Sequence, residues 1–208
     1  MKVSEITEIL DKWMPRSIAE DFDNVGLLIG DSNSEVKNIL VTLDTTSNVI
    51  DEALDKNCNL IISYHPIIFN DLKKVTSDAG YVQKSIIKAV KNNISVYAIH
   101  TSLDNHPKGI SYFLSKKIGL KNTSTLIPKK NFNSNLKIGM GIKGELKEPL
   151  QEDDFFNLLK DKLSEYLVDP IVNIRLINFT VTVLGEVNSP GVYSVQNERI
   201  SLSDALGL

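Results

Sequence analysis

Hydrophobic residues fall into two textures along this chain. Short aliphatic runs, Leu27-Leu28-Ile29, Ile39-Leu40-Val41, Leu60-Ile61-Ile62 and the stretch from Ile94 to Ile99, are each bounded by polar or turn-forming residues. Between them lie longer segments whose apolar positions recur at helical spacing. Ile6, Ile9, Leu10 and Trp13 form one such face, and Val49, Ile50 and Leu54 another. Unbroken short runs read as strands buried on both faces, and spaced apolar positions as amphipathic helices. A first helix is predicted from Ser4, with Glu5 and Glu8 in its opening turns and Pro15 beyond its end. Further helices are predicted from about Ser47 to Lys56, over Tyr81 to Lys91, and over Ile110 to Ile118, where Gly119 supplies the stop. Strand and helix alternating in this way predict an α/β fold, a mostly parallel sheet with helices on both faces.

The pattern changes further on. Lys129 to Asn135 is a polar connector, Leu136 to Ile142 a strand punctuated by glycines, and Glu152 to Leu163 a charged amphipathic helix. Beyond about Leu163 the apolar residues Val172, Ile174, Leu176, Phe179, Val181 and Val183 follow a period of two, the mark of half-buried antiparallel strands. Gly185 to Tyr193 contains a tight turn. Leu202 to Leu208 starts an apolar helical pattern that stops with the chain, so part of a unit is expected to be missing. The expected organisation is an α/β domain over 1–162 and a short β-rich segment over 163–208.

Composition narrows the function classes. With 208 residues, 42% hydrophobic and 24% charged, the chain can bury a sizeable core. A net charge of -3 and a pI of 5.7 provide no basic field for a polyphosphate backbone, so no nucleic-acid partner is expected. No run of about 18 apolar residues is available for a membrane helix. The single cysteine, Cys58, fits a reducing compartment, and the acidic N-terminus does not read as a secretory signal, so the expected location is cytoplasmic.

The candidate chemistry sits at strand ends. All three histidines, His65, His100 and His106, follow the Leu60 and Ile94 strands, and Asp104 lies among them. Imidazole and carboxylate converging at the carboxyl ends of neighbouring strands can form a metal or ligand site, with both groups already in their ligating forms near pH 7. Mixed nitrogen and oxygen donors suit Zn, Fe, Mn or Ni. The bland alternatives are a structural histidine before Pro66 and a turn-capping aspartate in Asp104-Asn105 ahead of Pro107. Asp23-Asn24-Val25-Gly26 reads locally as an Asx-turn, and Gly139-Met140-Gly141 as close packing. Neither has the Lys-Ser or Lys-Thr that a phosphate-binding loop requires.

Four segments carry a resemblance to a known family. Phe22 to Leu27, Ser63 to Phe69, Tyr97 to Asp104, and Gly139-Met140-Gly141 with Gly144-Glu145-Leu146 occur in the order found in the NIF-three-like metalloproteins, the GTP cyclohydrolase I type 2 homologs. The resemblance spans about residues 1–162. It implies an α/β fold, a ring-shaped homo-hexamer and a pair of divalent metal ions. The family's ligands come from a His-His-Pro loop, the aspartate of a His-Thr-x-x-Asp loop, and a late His and Glu. Carried onto this chain, it implies His65 and Asp104 as metal ligands. The first histidine of the pair is Tyr64 here, and no histidine follows His106. A second resemblance covers Tyr166 to Leu208, which is similar to the start of a soluble-ligand-binding β-grasp domain of outer-membrane polysaccharide export proteins. Val181 to Val187 and Pro190 to Tyr193 carry it.

These readings lead to a metal-dependent, hydrolase-type scaffold with an incomplete site and no assigned catalytic residue. The alternative is a non-enzymatic binding or assembly module. A β-grasp cut short at about 40 residues buries too little surface to fold firmly alone. Hydrogen exchange is therefore expected to be slow near Leu60 and Ile94 and fast over Val172 to Val183, with the melting of the first domain little changed when the tail is removed. A tail that exchanges as slowly as the sheet, and whose removal unfolds the protein, would mean one integrated domain.

Overall fold

A computed structural model of the chain describes residues 1–130, 132, 138–165, 171, 172, 174, 180–183 and 191–194. Two compact units emerge, Met1–Lys147 and Glu148–Leu208.

The first unit is organised by a four-stranded sheet. Its strands are β1 (Gly26–Ile29), β2 (Ile39–Thr42), β3 (Leu60–Ser63) and β4 (Ser95–Ala98), in the spatial order β1-β4-β3-β2. Strands β2, β3 and β4 are parallel, and β1 joins β4 antiparallel. The parallel connections need crossovers, which α2 (Ser47–Asp55) and α3 (Tyr81–Lys91) provide. Thr46 caps α2 by accepting from Val49 N at 3.3 Å. Ile61 pairs in register with both Leu40 and Val96, and with Ile50, Ala53, Ile86 and Ala89 of the crossover helices these residues build the core. Ile61 and Val96 are fully buried.

The other face is covered from the N-terminus. Helix α1 (Val3–Trp13) reaches Tyr97, whose hydroxyl donates to Asp11 Oδ1 at 2.5 Å, and Tyr97 points away from its neighbour Val96. Asp11 also meets Arg16 at 3.1 Å. The sheet is thus mostly parallel with helices on both faces, as the hydrophobic pattern predicts. At β2 that second face lies open, with Val41 78% exposed.

Past the sheet, the chain departs from the reading of a loop and turn at 100–105. His100–Asn105 is a short helix, α4, not a turn around Asp104-Asn105. Tertiary bonds stabilise it: Asn105 Nδ2 donates to Ile18 O at 2.8 Å and to Glu20 Oε1 at 2.6 Å. Helix α5 (Ile110–Ile118) ends on Gly119 in the left-handed conformation, as its sequence predicts. Strand β5 (Lys121–Pro128), which no apolar run announces, pairs antiparallel with β6 (Gly139–Glu145).

In the second unit, α6 (Glu152–Ser164) matches the charged helical pattern, and β7 (Thr180–Val183) pairs antiparallel with β8 (Gly191–Ser194). The helix expected from Leu202, and five of the eleven residues that carry the β-grasp resemblance, 184–187 and 190, lie outside the described residues.

Two glycines separate backbone conformation from packing. Gly30 has φ +110°, and a Cβ there would lie 2.2 Å from Ser95 Oγ and 2.6 Å from Ser95 Cα. Gly119 has φ +88° with open space around it. Gly119→Ala is expected to destabilise by about 1 kcal/mol, the left-handed penalty alone. Gly30→Ala is expected to cost about 3 kcal/mol because overpacking adds to it. Urea denaturation of the two variants should show this order, and equal losses would mean that the β1–β4 contact can give way.

Candidate functional site

The in-register ladder brings the site together. Thr42, Ser63 and Ala98 align across β2, β3 and β4, so the residues after each strand emerge side by side. The pairing continues beyond the strands: Tyr64 N donates to Thr42 O at 3.0 Å, His65 N to Leu43 O at 2.9 Å, and His100 N to Tyr64 O at 2.9 Å. Because β1 runs antiparallel with Gly26 opposite Ala98, the segment entering β1 delivers Asp23 and Asn24 to this same edge. Asn24 Nδ2 then ties down the loop beyond His65 by donating to Ile68 O at 2.6 Å.

Three rings cluster there. The centroids of His65 and His100 are 5.5 Å apart, and the Tyr64 ring lies 4.8 Å from the first and 5.3 Å from the second. The Tyr64 hydroxyl donates to Asp104 Oδ1 at 2.8 Å. His65, Asp104 and His100 therefore belong to one cluster around Tyr64. His106 is directed elsewhere, edge-on to Trp13 at 6.3 Å, where burial lowers its pKa from the ordinary imidazole value.

Each clustered histidine is held by a carboxylate. His65 Nδ1 lies 2.8 Å from Asp44 Oδ1, and His100 Nδ1 lies 2.8 Å from Asp23 Oδ1. A carboxylate can only accept, so Nδ1 carries the proton in both and Nε2 is left as a lone-pair donor. The two pairs differ in burial. The Asp23 side chain is fully buried beside a His100 that is 19% exposed, whereas His65 and Asp44 are 45% and 58% exposed.

Locally Asp23 accepts from Asn24 N, one residue on, in place of the bond two residues on that an Asx-turn would make. It accepts from His100 and from both the backbone N and the hydroxyl of Thr101, fixing the first turn of α4. His100 needs that hold because its backbone sits at φ +33°, an unusual conformation for a residue with a Cβ. Burial acts to raise the Asp23 carboxyl, but hydrogen bonds from His100, Thr101 and Asn24 outweigh it, and the net shift is below the ordinary value of 3.8. Burial drives the Tyr64 phenol upward, and its bond to Asp104 and the charges of Asp104 and Asp23 add to the effect, so it stays protonated and a hydrogen-bond donor.

The donors suit a divalent ion in kind and fall short in number. Two imidazoles keep Nε2 free of their carboxylate partners. Asp104, however, spends one oxygen on Tyr64, and among the described residues no group of three His, Cys, Asp or Glu is disposed to hold a metal ion. Asp104 also forms part of the wall of a cavity of about 280 Å³ between the α4–α5 turn and the β5–β6 hairpin, lined by Ser111, Tyr112 and Ser124 among others. A smaller cavity of about 150 Å³ adjoins His65 and Asp44 and is bordered by Thr45, whose buried hydroxyl has no partner among the described residues.

Fold and site define an α/β protein with a histidine and carboxylate cluster at the carboxyl edge of a mostly parallel sheet. The family model for Duf34/NIF3 (NGG1p interacting factor 3) matches residues 1–178, and the chain belongs to this family. A GTP cyclohydrolase 1 type 2 homolog of Clostridium acetobutylicum is 39% identical over 161 residues, covering 77% of this chain and 59% of that protein. One from Staphylococcus epidermidis is 41% identical over 170 residues, covering 75% and 45%. Among solved structures, a Staphylococcus aureus hypothetical protein superposes with a TM-score of 0.71 at 31% identity, covering 79% of this chain and 65% of the other. A Bacillus cereus protein related to NIF3 gives 0.59 at 38% identity, covering 62% and 35%. The chain thus spans about half the length of the curated relatives it matches. No helix among the described residues is long and apolar enough to cross a membrane.

The Asp23 interaction predicts an acid limb in stability. A carboxyl depressed in the folded state contributes stability that is present above its unfolded pKa, near 3.8, and is lost as pH falls toward the folded value. Asp23→Asn is expected to destabilise by roughly 1–3 kcal/mol at pH 7 and to flatten the decline below about pH 4. Denaturation midpoints measured across that range check this, and an unchanged acid limb in the variant would assign it to other carboxylates.

Proposed function

We propose that this chain is a divalent-metal-binding member of its family, a hydrolase-type scaffold whose metal site is incomplete. His65 and Asp104 are the ligands, with His100 in support. The observation that carries this reading is the gathering of His65, His100 and Asp104 around Tyr64, with both imidazoles held through Nδ1 by carboxylates. A bound Zn, Fe, Mn or Ni ion would supply Lewis acidity, polarising a substrate oxygen and acidifying water. The chain's own contribution is orientation: Asp44 and Asp23 hold the imidazole tautomers, and Asn24 anchors the loop that carries His65. With Tyr64 in place of a histidine, the ion is held weakly. The substrate in this reading is a small molecule. A cytoplasmic homo-oligomer, hexameric by family likeness, is the proposed working state.

A second reading, a non-enzymatic assembly module, is favoured by one observation. Strand β2 lies at the edge of the sheet with Val41 78% and Leu43 59% exposed, a surface suited to pairing with another chain.

Titration of the purified protein with a divalent metal separates the two readings, saturable binding supporting the first and none the second. Calorimetric titration with Zn or Mn is expected to show weak binding that Tyr64→His strengthens about tenfold or more. Equal binding by wild type and Tyr64→His would mean that the loop at 64–65 is not a ligand loop.

A further inference from the structure

The side chain of Tyr64 sits inside the proposed site. Its ring packs against both imidazoles, and its hydroxyl ends 2.8 Å from Asp104 Oδ1. The backbone leaves it little freedom: Tyr64 N donates to Thr42 O, and Tyr64 O accepts from His100 N. The hydroxyl therefore occupies a position from which a cation would approach that oxygen.

We propose that Tyr64 is an internal competitor for Asp104, a specificity-determining residue whose hydroxyl caps the carboxylate and sets how readily a divalent ion can use it. This rests on the metal-binding reading above and goes beyond the mere absence of a histidine at position 64. A missing ligand leaves the affinity indifferent to what else stands there, whereas a competitor lowers it below what the remaining donors would give. A phenol is protonated at neutral pH, so it offers Asp104 a hydrogen bond and offers an ion only a weak neutral oxygen. For an ion to take Oδ1, that charge-assisted bond must break. The carboxylate's second oxygen does not escape the effect, because a carboxylate held through Oδ1 is also held in orientation.

Tyr64→Phe isolates the hydroxyl, since it keeps the ring packed beside both imidazoles. The strength of a hydrogen bond to a charged group corresponds to about tenfold tighter binding once it is removed. The experiment titrates Zn and Mn separately into the wild-type full chain, Tyr64→Phe, Tyr64→His and the double variant Tyr64→Phe/Asp104→Asn, using calorimetry. Circular dichroism melting of each confirms the fold. The proposal expects Tyr64→Phe to bind about tenfold more tightly than wild type, with the gain abolished in the double variant. A Tyr64→Phe affinity equal to or weaker than wild type, with Tyr64→His tighter, overturns it and leaves the metal reading standing. A gain that survives Asp104→Asn also overturns it, because the hydroxyl would then act through another group. No binding by any of the four proteins removes the metal reading itself, and this proposal with it.

Discussion

The continuation of the parallel ladder past the ends of β3 and β4 is the constraint on which the rest of the site depends. Strands usually diverge where their apolar runs stop. Here the bonds from Ile99 N to Ser63 O and from His100 N to Tyr64 O extend the pairing. That extension fixes Tyr64, His65 and His100 as neighbours before any side-chain contact is considered. It also commits His100 to a positive φ as the chain swings from β4 into α4. The buried carboxylate of Asp23 compensates by gripping His100 and Thr101 together. A one-residue slip between β3 and β4 would dismantle the cluster as well as the core, because Ile61 and Val96 share that register.

The two histidine–carboxylate pairs have one geometry and different energetic weight. The His100 and Asp23 pair is shielded from solvent, and removal of either partner would leave a buried polar group with too few partners. The His65 and Asp44 pair is open to water, where such a contact contributes little to stability. Its value lies in the tautomer, since it leaves Nε2 of His65 as the nitrogen with a lone pair. One half of the cluster is thereby rigid and the other free to adjust.

Elements with a strong period were legible in the sequence. The helices at Tyr81–Lys91 and Ile110–Ile118 lie where the apolar spacing puts them, and the aliphatic runs at Leu60 and Ile94 are strands. Helix α4 was not legible, because six residues carry no measurable period and its stability comes from Asn105 and Thr101 bonding to segments more than 70 positions away. Strand β5, Lys-Asn-Thr-Ser-Thr-Leu-Ile-Pro, lacks alternation because most of it is exposed. At the site, His65, His100 and Asp104 could be named from their places at strand ends. The orienting roles of Asp23 and Asp44 could not, since each looks like a turn residue until the antiparallel β1 and the edge strand β2 are laid beside the histidines. The Tyr64 hydroxyl bond likewise depends on a contact 40 positions apart.

The bond between Asp23 and His100 spans 77 positions, and it closes only when β1, an N-terminal edge strand, has added to a sheet whose other strands come later in the chain. Local contacts form early in folding, and pairings between distant segments form late because the intervening loop must first be closed. The Asp23–His100 bond therefore depends on a late-closing contact, and a chain with β2, β3 and β4 in place but β1 undocked would keep Tyr64 and His65 on the ladder while losing Ile29 from the core and the carboxylate that holds His100. Ligand affinity would then scale with the fraction of molecules in which β1 is docked. Binding would report on whether the sheet edge formed by β1 is complete, through the Asp23 contact with His100.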